Sequence, residues 1–303
     1  MKKIILVLLI TAFAWSCKNS KETNGKLQVV TTTTMITDLV ENIGSDYIDV
    51  NGLMGSGVDP HLYKASEGDV NKLAQADVIF YGGLHLEGKL VEVFEKMASQ
   101  NINTIAVSDA LDVKTLIGSE YFASNYDPHI WFDVHNWEII TQFVVEKLTE
   151  ANPEHQAVFE KNGADYLEKL KVLNENIKSV ISTLPAEKRI LVTAHDAFSY
   201  FGQAYGFEVI GLQGLSTATE AGVQDVQNLA TFIIDKQVKS IFIESSVPKR
   251  TIEALQASVK SKGFDVQIGG TLYSDALGNA GTDEGTYIGM FTYNVNTIVK
   301  ALR

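Results

Sequence analysis

The sequence predicts an α/β fold of two similar lobes, each a four-stranded parallel sheet with its helices, joined by one long rigid helix. Three observations predict it. Short β-branched runs alternate with amphipathic segments from Lys26 onward, the pattern of βα units and parallel pairing. From about Val134 to Ile181 the strand pattern stops and charged residues recur at helical spacing. After Pro185 the βα alternation resumes.

In chain order, the first lobe offers strands at residues 27–32, 48–54, 77–81 and 103–107, with helices at 35–43, 66–76 and 86–99 between them. Ser66 followed three residues later by Asp69 is an N-terminal capping pattern for the second of these. The middle stretch breaks only at Asn152-Pro153, and Pro153 suits the first turn of a new helix. From there to about residue 182, Val158, Tyr166, Leu170, Leu173, Ile177 and Ile181 form one apolar stripe, which predicts a single long helix, the alternative being two ordinary helices packed on one domain. The second lobe offers strands at 190–194, 208–212, 240–244 and 266–269 and helices at 197–205, 223–236, 249–262 and 287–302. The domain boundaries implied are 26–150, 151–184 and 185–303.

Residues ahead of the first lobe speak to location. Lys2 and Lys3 precede an unbroken apolar run, residues 4–14, then Trp15, Ser16 and the only cysteine, Cys17. The run is roughly half the ~20 residues a spanning helix needs, so residues 1–16 read as a cleaved export signal. A lone cysteine in an exported chain has no intramolecular partner, and Cys17 stands where the lipobox of bacterial lipoproteins places its acylated residue. That resemblance implies a lipid anchor at Cys17, although Ala14 and Trp15 depart from the usual Leu and small residue. Residues 17–25, polar and without apolar pattern, would then be a flexible tether. An exported, membrane-anchored protein facing the periplasm or cell exterior is expected.

With 25 basic against 37 acidic side chains, the formal charge is −12. Such a balance repels phosphate backbones, which excludes nucleic acid as a partner, and raises the local concentration of cations.

Six histidines are present, and two sit in the same word, Asp59-Pro60-His61 and Asp127-Pro128-His129. Proline fixes its own φ and pushes the preceding Asp toward extended geometry, so each word holds an imidazole in a rigid, non-helical loop. Each Asp could also accept a ring N–H, without indication of which ring. His195 closes a predicted strand where open parallel sheets place ligand-binding residues. Asp275 lies in the Gly-rich loop after residues 266–269. Two imidazoles from one lobe and an imidazole plus a carboxylate from the other would make an N₃O metal site in the interlobe cleft. Read singly, a His at a strand end is as often a satisfied polar residue, and a loop Asp a turn former.

These residues, with the ordered motifs Asp127-Pro128-His129-Ile130-Trp131-Phe132-Asp133, Thr193-Ala194-His195-Asp196-Ala197-Phe198, Gly211-Leu212-Gln213-Gly214, Ile243-Glu244-Ser245-Ser246 and Tyr273-Ser274-Asp275-Ala276-Leu277-Gly278, resemble a known family. It is that of the metal-binding proteins of bacterial zinc and manganese ABC importers, the TroA-like or cluster A-I binding proteins. The resemblance implies that His61, His129, His195 and Asp275 ligate one ion. It also implies the two-lobe fold with one linking helix, and delivery of the ion to a permease in the inner membrane with its cytoplasmic ATPase. A monomer is expected. His85, His135 and His155 are read as structural or solvent-facing, and Trp131 and Trp137 as core anchors beneath the site.

Three imidazoles and one carboxylate favour Zn²⁺, with Mn²⁺ the alternative cargo. Ligand histidines must be deprotonated, so affinity is expected to fall through the imidazole range near pH ~6.5. A zinc hydrolase would use a similar ligand set with Glu244 or Asp196 as base, but a fourth protein ligand closes the site, and no His-Glu-x-x-His word, nucleophile elbow or P-loop is present. A surface adhesin lipoprotein is the remaining alternative, and no motif speaks for it. No enzymatic activity is expected.

Overall fold

The computed structural model describes residues 25–120 and 122–303. The export signal and the anchor at Cys17 lie outside the described residues. Among those described, no helix is long and apolar enough to cross a membrane.

In the N-terminal half, β1 (Leu27–Thr31), β2 (Ile48–Gly52), β3 (Val78–Tyr81) and β4 (Asn103–Ala106) pair in parallel in the order β2-β1-β3-β4. Helices α1 (Thr34–Gly44), α2 (Glu67–Gln75) and α3 (Val91–Ser99) connect them. The predicted cap of α2 is formed: Ser66 Oγ accepts from the Asp69 N–H at 3.2 Å, and the Asp69 carboxylate accepts from the Ser66 N–H at 2.9 Å. Helix α3 starts five residues later than predicted. Leu84 and His85 have φ of 49° and 65°, so no helix can run through them. The buried Glu87 carboxylate holds this turn by accepting from the Gly82 N–H at 2.7 Å and from Thr32 Oγ1 at 2.6 Å.

Helix α4 (Val134–Ala151) leads through a 3₁₀ turn at Pro153–His155 into α5 (Gln156–Ser182), a helix of 27 residues. Its buried stripe is Phe159, Gly163, Tyr166, Leu170, Leu173, Ile177 and Ile181, with Phe159 in place of the predicted Val158. Gly163 lets α5 press on α4: a Cβ there would lie 2.4 Å from Val145 Cγ2.

The C-terminal half contains β5 (Ile190–His195), α6 (Ser199–Tyr205), β6 (Glu208–Gln213), α7 (Val223–Asp235), β7 (Ser240–Glu244), α8 (Arg250–Ser261), β8 (Gln267–Leu272) and α9 (Tyr287–Leu302). A single four-stranded ladder was expected. Instead β5 pairs with β6 and β7 with β8, each in parallel, while β5 and β7 lie side by side without a shared ladder. At the end of β5, the His195 N–H is taken by the Glu244 side chain rather than by a backbone carbonyl. A bulge at Ile241/Phe242 shifts the register of the other pair, and β8 runs three residues past the predicted end.

The main core is continuous across both halves. It joins Val29, Ile36 and Leu39 to Leu170 and Ile177 of α5 and to Tyr287, Phe291 and Ile298 of α9. Trp137 stacks on Tyr287 with ring centroids 5.0 Å apart, as expected of a core anchor. At the junction of α1, α5 and α9, the Asp38 carboxylate accepts from Tyr166 Oη at 3.3 Å and from the Tyr287 N–H at 3.2 Å. Smaller clusters flank this core in each half.

Candidate metal centre

The carboxyl ends of the strands carry the chemistry-bearing residues, as expected for open parallel sheets. His195 is the last residue of β5 and Glu244 the last of β7, and Asp275 follows β8 by three residues. His61 sits in the loop after β2, and His129 immediately precedes the short turn that leads into α4.

Both Asp-Pro-His words fold as Asx turns, in which a side-chain oxygen mimics a backbone acceptor. Asp59 Oδ1 accepts from the His61 N–H at 2.8 Å, and Asp127 Oδ1 from the His129 N–H at 2.9 Å. The two words then differ. Asp127 Oδ1 also accepts from ring Nδ1 of its own His129 at 2.7 Å, whereas the second oxygen of Asp59 is taken by Thr217 Oγ1 at 2.5 Å. His195 is held by one carboxylate at two points: its N–H donates to Glu244 Oε1 at 2.8 Å and its ring Nδ1 to Oε2 at 2.5 Å.

With Nδ1 of His129 and of His195 engaged by carboxylates, Nε2 is the nitrogen that each ring turns toward its neighbours. These atoms converge. His129 Nε2 lies 3.3 Å from both His61 Nε2 and His195 Nε2. Asp275 adds Oδ2 at 3.4 Å from His195 Nε2 and Oδ1 at 3.6 Å from His129 Nε2. One ligand-type atom from each of the four residues lies within 4.8 Å of all the others, and all four side chains are buried. Ser246 Oγ donates to Asp275 Oδ2 at 3.0 Å, and no hydrogen-bond donor reaches Oδ1 among the described residues. Three imidazole nitrogens and a carboxylate gathered in a dry space are stabilised by a cation among them, whether a proton or a metal ion.

The electrostatics follow. Burial foremost, helped by the neighbouring imidazoles and opposed by the Asp275 carboxylate, pushes His61 down to about 3, so this ring stays neutral across the physiological range. Burial alone would lower His195 too, but the carboxylates of Glu244 and Asp275 outweigh it and hold this imidazole well above its ordinary value. Burial would likewise raise Asp275, and the adjacent imidazoles, His195 foremost, hold it below the usual carboxylate range. Asp275 is therefore ionised.

The remaining histidines stand apart from this cluster. His85 belongs to the left-handed turn before α3, where a helix start was expected. His135 is exposed beside Glu138, and His155 pairs with Asn152 at 3.0 Å. Trp131 supports the site from beneath. Its ring meets His129 edge to face with centroids 5.3 Å apart, and its Nε1 donates to the Ser274 carbonyl at 3.1 Å.

Sequence reasoning considered Glu244 only as a catalytic base. The structure makes it the group that orients His195; Ser246 stood in a family motif without a role, and Thr217 was missed. The available signal was positional: Glu244 closes the strand that runs beside β5.

A family model for the periplasmic zinc-uptake complex component A, ZnuA, matches residues 29–301. The manganese-binding lipoprotein MntA of Bacillus subtilis is 47% identical over 283 residues, covering 93% of this chain and 92% of the relative. The zinc-binding protein TroA of Treponema pallidum is 49% identical over 279 residues, covering 92% and 90%. The solved structure of the periplasmic zinc-binding protein TroA from Treponema pallidum superposes with a TM-score of 0.89, covering 92% of this chain and 99% of that one. Neither the zinc-hydrolase nor the adhesin reading finds support among these relatives, which are binding proteins. The chain belongs to the family of periplasmic zinc-uptake complex A components.

Proposed function

We propose that this protein is the extracytoplasmic metal-binding component of an ABC importer and that it carries one Zn²⁺ or Mn²⁺ on His61, His129, His195 and Asp275. The observation that carries the reading is the convergence of four buried ligand atoms within 4.8 Å of one another. His61 and His129 come from the first lobe, residues 26–150, and His195 and Asp275 from the second, residues 185–303, with residues 151–184 linking them. Four protein ligands close the coordination shell, which suits carriage rather than hydrolysis. Three imidazoles with one carboxylate favour zinc as the cargo. The relatives do not choose between the ions, since one is named for manganese and another for zinc at similar identity.

The lipoprotein names of several relatives support acylation of Cys17 and a tether over residues 17–25. A monomer anchored there would hand its ion to an inner-membrane permease driven by a cytoplasmic ATPase. Competition titration of the metal-free protein against buffered Zn²⁺ and Mn²⁺ tests the cargo. One equivalent of zinc that manganese does not displace is expected, and preferential retention of manganese would reverse the assignment.

A further inference from the structure

The Asp-Pro-His word that carries His61 is held from the opposite half of the chain. Asp59 Oδ1 accepts from the His61 N–H at 2.8 Å and so sets the turn that presents the ring. Its other oxygen accepts from Thr217 Oγ1 at 2.5 Å, 158 residues away. Thr217 is nearly buried, although residues 218–220 after it are exposed. The segment is tied back to its own half by Gln213, whose Nε2 donates to the Thr219 carbonyl at 3.1 Å. The chain is thus fastened as β6, Gln213, Thr219, Thr217, Asp59, His61.

The other ligand loop that crosses the site is held differently. Residues on either side of Asp275 bond to the first half, the Ser274 carbonyl to the buried Trp131 Nε1 at 3.1 Å and the Leu277 N–H to the half-buried Thr34 Oγ1 at 2.8 Å. Asp275 has two fastenings to the first half near the core. Among the described residues, the Thr217 hydroxyl is the one hydrogen-bond donor from the second half that reaches Asp59, and it sits on a loop bordered by solvent.

From this asymmetry we propose that Thr217 is a positioning residue for metal retention, a latch whose hydroxyl holds the His61 turn against the bound ion. The latch rests on the four-ligand reading. A hydrogen bond from a hydroxyl to a carboxylate is among the stronger neutral-to-charged kind. Its loss lets the Asp59 turn, and with it His61, swing away from the other three ligands. The route by which the ion leaves is then on the His61 side, under loop 214–222, and the Asp275 side stays put.

The test compares release of Zn²⁺ from the unsubstituted protein with release from Thr217→Val, which keeps the shape and removes the donor, and from Thr217→Ser, which restores it. Capture of the released ion by excess chromogenic chelator in stopped flow reads the rate. Metal-free melting temperatures read any general damage. Release roughly tenfold or more faster from Thr217→Val, with Thr217→Ser close to the unsubstituted rate and the metal-free melting temperatures alike, establishes the latch. Release from Thr217→Val at the unsubstituted rate overturns it, as does equally fast release from both variants. An unsubstituted protein that holds no ion would remove the four-ligand reading and the latch with it, so the two failures are distinct.

Discussion

His195 combines two demands that oppose each other. To bind a cation it must offer a bare Nε2, yet Glu244 and Asp275 raise its affinity for a proton. In the metal-free protein at neutral pH this ring therefore carries a proton, and an arriving ion must displace it. His61, pushed down to about 3, has none to lose at that pH. Binding is accordingly expected to release one proton from the His195 ring, and affinity to rise about tenfold per pH unit below the raised value of His195. Calorimetry in buffers of differing ionisation enthalpy measures that number. This differs from a joint loss of three imidazoles near the ordinary value, which the sequence suggested, because burial and neighbouring charge move His61 and His195 in opposite directions. Replacing Glu244 by Gln keeps one acceptor but removes the charge that fixes ring and tautomer. A loss of roughly 10- to 100-fold in zinc affinity is expected, read by chelator competition, with the metal-free fold unchanged. The four residues that converge here were legible in the sequence because rigid Pro words, a strand end and a family pattern mark them. Glu244 was not legible in this role, since no local pattern ties a residue to a ring 49 positions away.

At the scale of elements, α1, α5 and α9 meet at a carboxyl group. Burial raises Asp38 from 3.8 to about 6, partly offset by its bonds to the Tyr287 N–H and the Tyr166 hydroxyl. A carboxyl that holds its proton more tightly when folded favours the folded state at low pH, and that contribution is lost as pH rises through about 6. That difference corresponds to about 3 kcal/mol. Asp38→Asn should therefore gain stability relative to the unsubstituted protein by roughly that amount between pH ~4 and pH ~7, measured by urea denaturation across that range. Element existence was well marked by periodicity: every predicted helix and strand is present. The boundaries that moved did so for tertiary reasons. Helix α3 starts late because Glu87 reaches back to Thr32 and Gly82, and Phe159 rather than Val158 heads the stripe of α5 because packing, not spacing alone, chooses the face.

Across the whole molecule, α5 is less a strut than part of the core. The continuous cluster from β1 through α5 to α9 resists relative rotation of the two halves, because shearing it would open apolar contacts at once. Small-angle scattering curves of the metal-free and zinc-loaded protein are expected to be nearly superimposable, and a marked compaction on loading would show that the halves swing. The sequence carried the alternation that makes the α/β class, but not this shared core. Nor did it carry the division of the second sheet into two ladders, the extra residue Gly269 in β8, or the side-chain acceptor that the His195 N–H finds. The central claim is tested most directly by diffraction from zinc-loaded crystals at wavelengths on either side of the zinc absorption edge. One anomalous peak bonded to Nε2 of His61, His129 and His195 and to the Asp275 carboxylate is expected. A peak elsewhere, or an ion held by fewer of these groups and completed by water, would contradict it.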